Sequence, residues 1–336
     1  MLGHILLTAI NAVAPIILFI ALGYFLRWNK FLTDEFVKVA NKLVFNFCIP
    51  VMLFVNVYDI ESIADIRWDV VAYCTAIVTL LFGIGWLEGK IFTHDCRRRG
   101  VLWQCAFRSN FAIIGLPLAQ TLGGAQGAAV AAVLSAFAIP AFNIYGVISL
   151  SVYTGKKKSP GEMLKSIGKN PLMIGVGAGL LVLLFRAAQM AAFDRVVYSV
   201  QRDTRFLYTV LSNLKALTTP LSLIVLGAQC EFSAAKGMLK EIVTAVSTRI
   251  VVAPAVSVLG MVALNAAGIL SCGNGEYAAA IALFGSPVAV SSAIMATNMG
   301  CDGQLATQTV VWSSLLSVAT IFLTVCILMA TGVLVL

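Results

Sequence analysis

Apolar residues along this chain do not recur with the spacing of a surface helix or a half-buried strand. They run on for about 20 residues at a time and then give way to short polar segments that hold the charges. A helix needs about 20 mostly apolar residues to cross a bilayer. That rule predicts ten spans, at 5–26, 38–57, 69–92, 103–122, 127–153, 170–190, 209–229, 242–265, 277–298 and 304–335. The polar, basic stretch TGKKKSPGEMLKSIGKN divides the first five from the last five. The predicted fold class is therefore all-α and integral to the membrane, with ten transmembrane helices in two inverted five-helix repeats. The first repeat covers 1–153, a cytoplasmic basic linker 154–169, and the second repeat 170–336. Because five is odd, the second repeat begins on the opposite side of the bilayer, as in many secondary transporters.

Two of the predicted spans carry helix breakers at mid-depth. FRSNFAIIGLPLAQTLGG holds Asn110, Gly115 and Pro117, and GSPVAVSSAIMATNMGCDGQ holds Pro287. Aligning Gly123 with Gly300 sets Asn110 opposite Pro287. Proline lacks an N–H and crowds the carbonyl four residues back, at Ile113 for Pro117 and at Leu283 for Pro287. In hydrocarbon a freed backbone group costs several kcal/mol, so a break there has to face protein, water or a solute. Two inverted breaks meeting at the midplane would aim two half-helix N-termini at one point, which suits an anion. Ser286, Ser291, Ser292, Thr297 and Asn298 add donors and acceptors nearby. Pro50 of span 2 (NFCIPVMLF) has a counterpart in Pro220 of span 7 (LTTPLSLIV).

Composition narrows the choice of function. At 60% hydrophobic and 11% charged residues, the chain has too little polar surface for a soluble protein. The net charge of +8 does not indicate nucleic acid, because the basic residues sit in short loops between spans. With the linker in the cytoplasm, 17 of the 23 Lys and Arg fall on that side and both termini lie outside. The exceptions concentrate in 186–215, the longest external connection, where an interfacial amphipathic helix is expected. The N-terminus has no basic residues ahead of its apolar run and reads as a retained first span. The eight Cys form no CxxC pair and read as small core residues, and His4 and His94 sit in no metal motif. No nucleophile–base pair lies within a span, so an enzyme is not expected.

Acids avoid the middle of the spans: Glu88 and Glu231 stand near cytoplasmic ends, and Asp69 begins span 3. Coupling stays open between a proton carried by Glu88, Glu231 or the substrate, sodium on freed carbonyls, and none. Asn110, Ser135, Ser291 and Gln308 are the side chains that would help hold sodium. Arg108 and Arg249 lie closest to apolar stretches. They read either as forks for a carboxylate or as orientation charges snorkelling to the cytoplasmic face.

The stretches FRSNFAIIGLPLAQTLGG, FNFCIPVMLF and SPVAVSSAIMATNMGCDGQLATQTVVWSSLLSV resemble the auxin efflux carrier family, and the likeness extends over nearly the whole chain. The bacterial members, described as malate or malonate carriers, are the nearest in kind. The resemblance implies the fold of bile-acid sodium symporters, with a scaffold of spans 1, 2, 6 and 7, often dimeric. Spans 3–5 and 8–10 would form a transport domain whose crossed helices 4 and 9 hold the substrate and move like an elevator. Carried over by position, the crossover residues fall on Asn110, Pro117 and Pro287, with Pro50 and Val51 facing them from the scaffold. The two-proline signature of span 9 is reduced here to SPVAV, so auxin itself is not the expected cargo.

The expectation is a homodimeric carrier of small carboxylates in the bacterial inner membrane, without cofactor or metal. The alternatives are a sodium-coupled bile-acid-like symporter and a ligand-sensing protein of the same fold. The candidate substrate-binding set is Asn110, Gly115, Pro117, Ser286, Pro287, Ser291, Ser292, Pro50 and Val51. Arg108, Arg249, Asn298, Ser135 and Gln308 are candidate anion or coupling contacts.

Overall fold

A computed structural model of the chain describes residues 2–58, 67–153, 169, 171–230 and 232–334. The outer loop 59–66, the linker with Lys156, Lys157, Lys158 and Lys165, and Glu231 lie outside the described residues. Among the described residues the regular elements are helices, joined by short turns, with one isolated bridge. In chain order the α-helices are α1 (Leu2–Trp28), α2 (Asp34–Leu43), α3 (Ile49–Tyr58), α4 (Trp68–Phe92), α5 (Cys96–Phe107), α6 (Leu116–Ser151) and α7 (Pro171–Phe193). They continue as α8 (Val200–Asp203), α9 (Arg205–Gln229), α10 (Leu239–Ser247), α11 (Ala253–Ala266), α12 (Asn274–Gly285), α13 (Ser291–Asn298) and α14 (Gly303–Ala330).

Six of the described runs are long and apolar enough to cross a bilayer: Asp34–Val55, Trp68–Phe92, Leu118–Ser151, Arg205–Gln229, Ala235–Ala266 and Gly303–Ala330. Ten were expected. Part of the difference is physical, because the predicted spans 103–122 and 277–298 are each divided into pieces. At 1.5 Å per residue the 12 residues of α12 reach only about 18 Å, short of the roughly 30 Å of hydrocarbon. The first of these divided segments also starts earlier than predicted, at Cys96, so that Arg97, Arg98 and Arg99 occupy its opening turn. Gly124, at positive φ (58°) and outside helical geometry, then kinks α6 and divides it into two helical parts.

Three of the prolines, including Pro117 where the sequence suggested interruption, stand behind a widened helical turn. Among the described residues there are three π-helical turns, Val44–Cys48, Phe111–Gly115 and Thr248–Val252. Each is followed, two residues on, by a proline: Pro50, Pro117 and Pro254. The residue before each proline donates its N–H five residues back, Ile49 to Val44, Leu116 to Phe111 and Ala253 to Thr248. One extra residue in the turn gives the pyrrolidine ring room and removes the demand for its missing N–H. The expected break at Pro117 is thus corrected: the helix runs through Gly115 and Pro117, and the break lies at residues 108–110.

The 186–215 connection also differs from expectation. Arg186 lies within α7 and Lys215 within α9, and the stretch 194–204 between the two helices holds the single turn of α8 rather than an interfacial helix. Arg186 donates to the carbonyl of Tyr58 at 2.7 Å, which ties α7 to the end of α3.

Close helix pairs form where small residues let backbones touch, which supports association when no hydrophobic gain separates lipid from helix. Gly23 of α1 abuts the backbone of Ile224, and Gly227 of α9 abuts that of Ile20. Gly175 brings α7 against Pro50 of α3 in the same way. Ion pairs fasten a second set of helices at their outer ends. Arg67, ahead of α4, reaches Asp69 at 2.7 Å and Glu276 of α12 at 3.4 Å. Arg98 of α5 reaches Glu241 of α10 at 3.0 Å and Asp302, the N-cap of α14, at 3.1 Å. We expect Gly227→Val to separate α1 from α9 and cost about 2 kcal/mol or more. Thermal unfolding in detergent checks this, with Gly177→Ala, which meets open space, expected to leave the midpoint unchanged.

Candidate functional site

α5 ends at Phe107 and the chain extends through residues 108–110 before it coils again. α12 ends at Gly285, extends through 286–290, and resumes as α13. The extended pieces cross antiparallel, with Ser109 paired to Val288. Asn110 donates its N–H to the carbonyl of Pro287 at 2.8 Å, and Ala289 to that of Arg108 at 3.1 Å. The N–H of Val288 turns instead to the hydroxyl of Ser313 on α14, at 3.1 Å. Backbone groups freed by the breaks are therefore met by protein, as the interior of a membrane protein requires. The two positions that sequence alignment sets opposite each other, 110 and 287, are joined by a hydrogen bond.

Four half-helix ends converge at this crossing, and their charges are handled differently. The C-terminal ends of α5 and α12 expose carbonyls with the negative end of each dipole. Arg249, in the π turn between α10 and α11 and 0% exposed, meets both ends. Its Nε donates to Ser286 at 3.0 Å. Nη1 donates to Phe107 at 3.0 Å and Ala106 at 3.4 Å, and Nη2 to Phe284 at 2.7 Å and Leu283 at 3.0 Å. All of these acceptors are main-chain carbonyls. The sequence left Arg249 between carboxylate fork and snorkelling cation. It is neither: the guanidinium is spent on two helix ends inside the protein.

The N-terminal ends of the restarting helices face a cavity of about 60 Å³. Arg108, Ser109 and Asn110 line one side and Ala289, Val290 and Ser291 another, with Asn143 of α6 beside them. α3 and α9 close the cavity with Ile49, Met52, Leu53, Thr218 and Ser222. Arg108 is 2% exposed, so the snorkelling reading is corrected here too. Its Nη2 donates to Asn143 Oδ1 at 2.9 Å and to Ser291 Oγ at 3.0 Å, and its Nη1 points at the sulfur of Met295. Among the described residues Arg108 forms no ion pair. Asn110 Nδ2 and Ser109 Oγ are buried there without a partner.

Of the residues singled out from sequence, Arg108, Asn110 and Ser291 line this cavity. The rest lie elsewhere. Pro50 and Val51 do not reach the wall, because Ile49, Met52 and Leu53 share the inward face of α3 at three- and four-residue spacing. Gly115 packs on Phe111, and Pro117 follows it in the continuous helix. Ser286 returns its hydroxyl to Ala282 at 2.6 Å, and Pro287 is engaged through its carbonyl. Ser292 is buried behind the crossing, where its own carbonyl accepts from Gln104 at 3.0 Å. Asn298 and Ser135 bond within their own helices, at 2.8 and 2.7 Å. Gln308 reaches Cys230 Sγ at 3.7 Å. Asn143, Thr218 and Ser222 were missed. Thr218 and Ser222 stand four apart in an apolar span, a spacing that marks one polar stripe.

Comparison with known proteins finds similarity to membrane transport proteins. Residues 8–163 match the profile of a family described as membrane transport protein. The chain is 22% identical over 320 residues to an uncharacterized transporter of Methanothermobacter thermautotrophicus, covering 93% of this chain and 95% of that one. It is 24% identical over 255 residues to an uncharacterized transporter of Methanocaldococcus jannaschii, covering 73% and 76% of the two chains.

Arg249→Met should strand buried carbonyls at both helix ends, at about 3 kcal/mol or more. Arg249→Lys should not restore them, since an ammonium has three donors and no planar fork. Thermal unfolding of the two variants in detergent measures both effects.

Proposed function

We propose that this multi-pass membrane transport protein carries small organic anions, carboxylates such as malate or malonate, by alternating access. The observation that carries the reading is Arg108: a guanidinium inside the protein, on a cavity wall, held by neutral partners alone among the described residues. A buried cation without a counter-ion is costly, and an incoming carboxylate removes that cost. Thioether sulfur is a weak acceptor, so a carboxylate oxygen displaces Met295 from Nη1 at little loss. Asn110 Nδ2 supplies a further unpartnered donor. First-turn N–H groups at the restarting helices, including α13, add to the same positive field.

The wider architecture belongs to this proposal. Each broken pair, α5 with the first part of α6 and α12 with α13, is read as one crossing of the membrane, which gives ten in two inverted repeats. The paired breaks of like form support that reading. The helices α1, α3, α7 and α9 act as scaffold, and α4–α6 and α10–α14 as the moving body. Scaffold side chains at the cavity from α3 are apolar, so the moving body slides past Ile49, Met52 and Leu53 without breaking hydrogen bonds there. The linker lies in the cytoplasm and the termini outside, in the inner membrane of a bacterium.

Uptake of radiolabelled malate or malonate into proteoliposomes tests the cargo. Arg108→Gln should lower uptake by about 10- to 100-fold, the worth of a charged hydrogen-bonding partner, while leaving the fold intact in a thermal scan. Uptake equal to the parent would remove the assignment. Orientation has its own measurement. Single cysteines replacing Lys38 and Arg202, in a chain otherwise without Cys, should react with an impermeant reagent from opposite sides.

A further inference from the structure

A second cavity, of about 400 Å³, shares α9, α13 and the joined α2–α3 run with the first. Asn41 of α2, Gln229 of α9, Thr297 of α13 and Gln304 of α14 line it, with Arg27, Asp34 and the exposed Lys38 at its edge. The three runs that line both cavities, α2–α3, α9 and α13, reach it about two turns from the first. The steps are from Ile49 back to Asn41, from Ser222 on to Gln229, and from Ser291 on to Thr297. At 1.5 Å per residue all three agree on a separation of about 10 Å. Both cavities therefore lie beside α9, α13 and the joined α2–α3 run, with α6 added at the first and α1 and α14 at the second.

Two oxygens here are buried without a donor, Asn41 Oδ1 and Gln304 Oε1. Asn41 is 4% exposed. The Gln304 amide is fixed in orientation, because its Nε2 donates to the carbonyl of Gln229 at 2.7 Å. That leaves its oxygen as an acceptor waiting for a hydrogen. Arg27 is spent on Asp34 and on the Leu32 carbonyl. Lys38 forms no ion pair among the described residues. The second cavity thus combines one uncommitted cation with two unmet acceptors, whereas the first presents donors.

We infer that the second cavity is a separate station on the transport route, selective for small carboxylates that also carry a hydrogen-bond donor, a hydroxyl or an ammonium. The carboxylate meets Lys38, and the donor meets Asn41 Oδ1 and Gln304 Oε1. The inference rests on the anion reading for its cargo. A carboxylate with no donor pairs with Lys38 and leaves both oxygens unmet, which is costly in a buried place.

Malate, aspartate and succinate separate the terms, as hydroxyl, ammonium and neither. In proteoliposomes the half-saturation concentration should be about three- to tenfold lower for malate or aspartate than for succinate. Whichever of the two is favoured identifies the donor. Asn41→Leu should abolish that preference by bringing malate or aspartate to the level of succinate, and Lys38→Ala should weaken all three alike. A preference that survives Asn41→Leu, or no preference in the parent, overturns the station. If the parent moves no carboxylate, the carrier reading fails, and the station is judged by binding alone. Thermal stabilisation of the parent by malate or aspartate, lost in Asn41→Leu, then supports it, and no stabilisation overturns it.

Discussion

Carbonyl oxygens from two helix ends converge on the guanidinium of Arg249, and the remainder of the centre follows from that arrangement. Left alone, α5 and α12 would end inside the protein with unmet acceptors, each costing about 1–3 kcal/mol. A lone guanidinium in the same place would be costly as well. Joined, each offsets the other, with the cation against two dipole ends and five N–H groups against a ring of carbonyls. A carboxylate partner becomes unnecessary, and among the described residues Arg249 has none. The consequence is polarity. The negative ends of the crossing are neutralised by a residue of the chain, while the positive ends open on a cavity that adds Arg108 and Asn110.

The prolines show how the chain permits breaks without placing them at will. Pro50, Pro117 and Pro254 each sit behind a widened turn, and helical hydrogen bonding continues past them. The break at 108–110 contains no proline. It persists because the extended strand has a partner: Asn110 and Arg108 exchange backbone bonds with Pro287 and Ala289. The break at 286–290 does contain a proline, and its spare N–H at Val288 is taken by Ser313. A helix in apolar surroundings opens where another segment can meet its backbone, and local propensity alone does not decide the position.

How much of this could be read in advance depends on range. The apolar runs placed α4, α9 and α14 within a few residues and covered α10 and α11 as one span, since hydropathy over about 20 positions is a local property. The pairing of Asn110 with Pro287 was legible as an alignment but not as a contact. The choice between Pro117 and residues 108–110 was not legible, because it turns on what lies opposite. Arg108 and Arg249 were ambiguous for the same reason. Each is a basic residue near a span end, and only the carbonyls around one and the cavity beside the other tell them apart. Pro50 and Val51 were named one or two positions from Ile49 and Met52, which is enough on a helix to change the face.

The distribution of strong and weak ties bears on how such a centre could move. Polar ties bind α4, α5, α10, α12 and α14 into one group. Arg67 with Glu276 lies at one end, Arg98 with Glu241 and Asp302 at another, and Arg249 between. Glycine contacts bind α1 to α9 by shape, and α3 to α7 by shape together with the Arg186 bond to the Tyr58 carbonyl. Across the cavity the α3 wall is apolar, and it offers dispersion without direction. A hydrogen bond fixes register, whereas an apolar surface tolerates a slide because one contact replaces another of similar worth. Ties between the groups, such as Gln304 to the Gln229 carbonyl at 2.7 Å, sit at the second cavity. Were the groups to shift against each other, that contact would have to be exchanged, and the cargo's own polar atoms are the groups at hand to replace it. Motion and loading would then be linked by the same few hydrogen bonds.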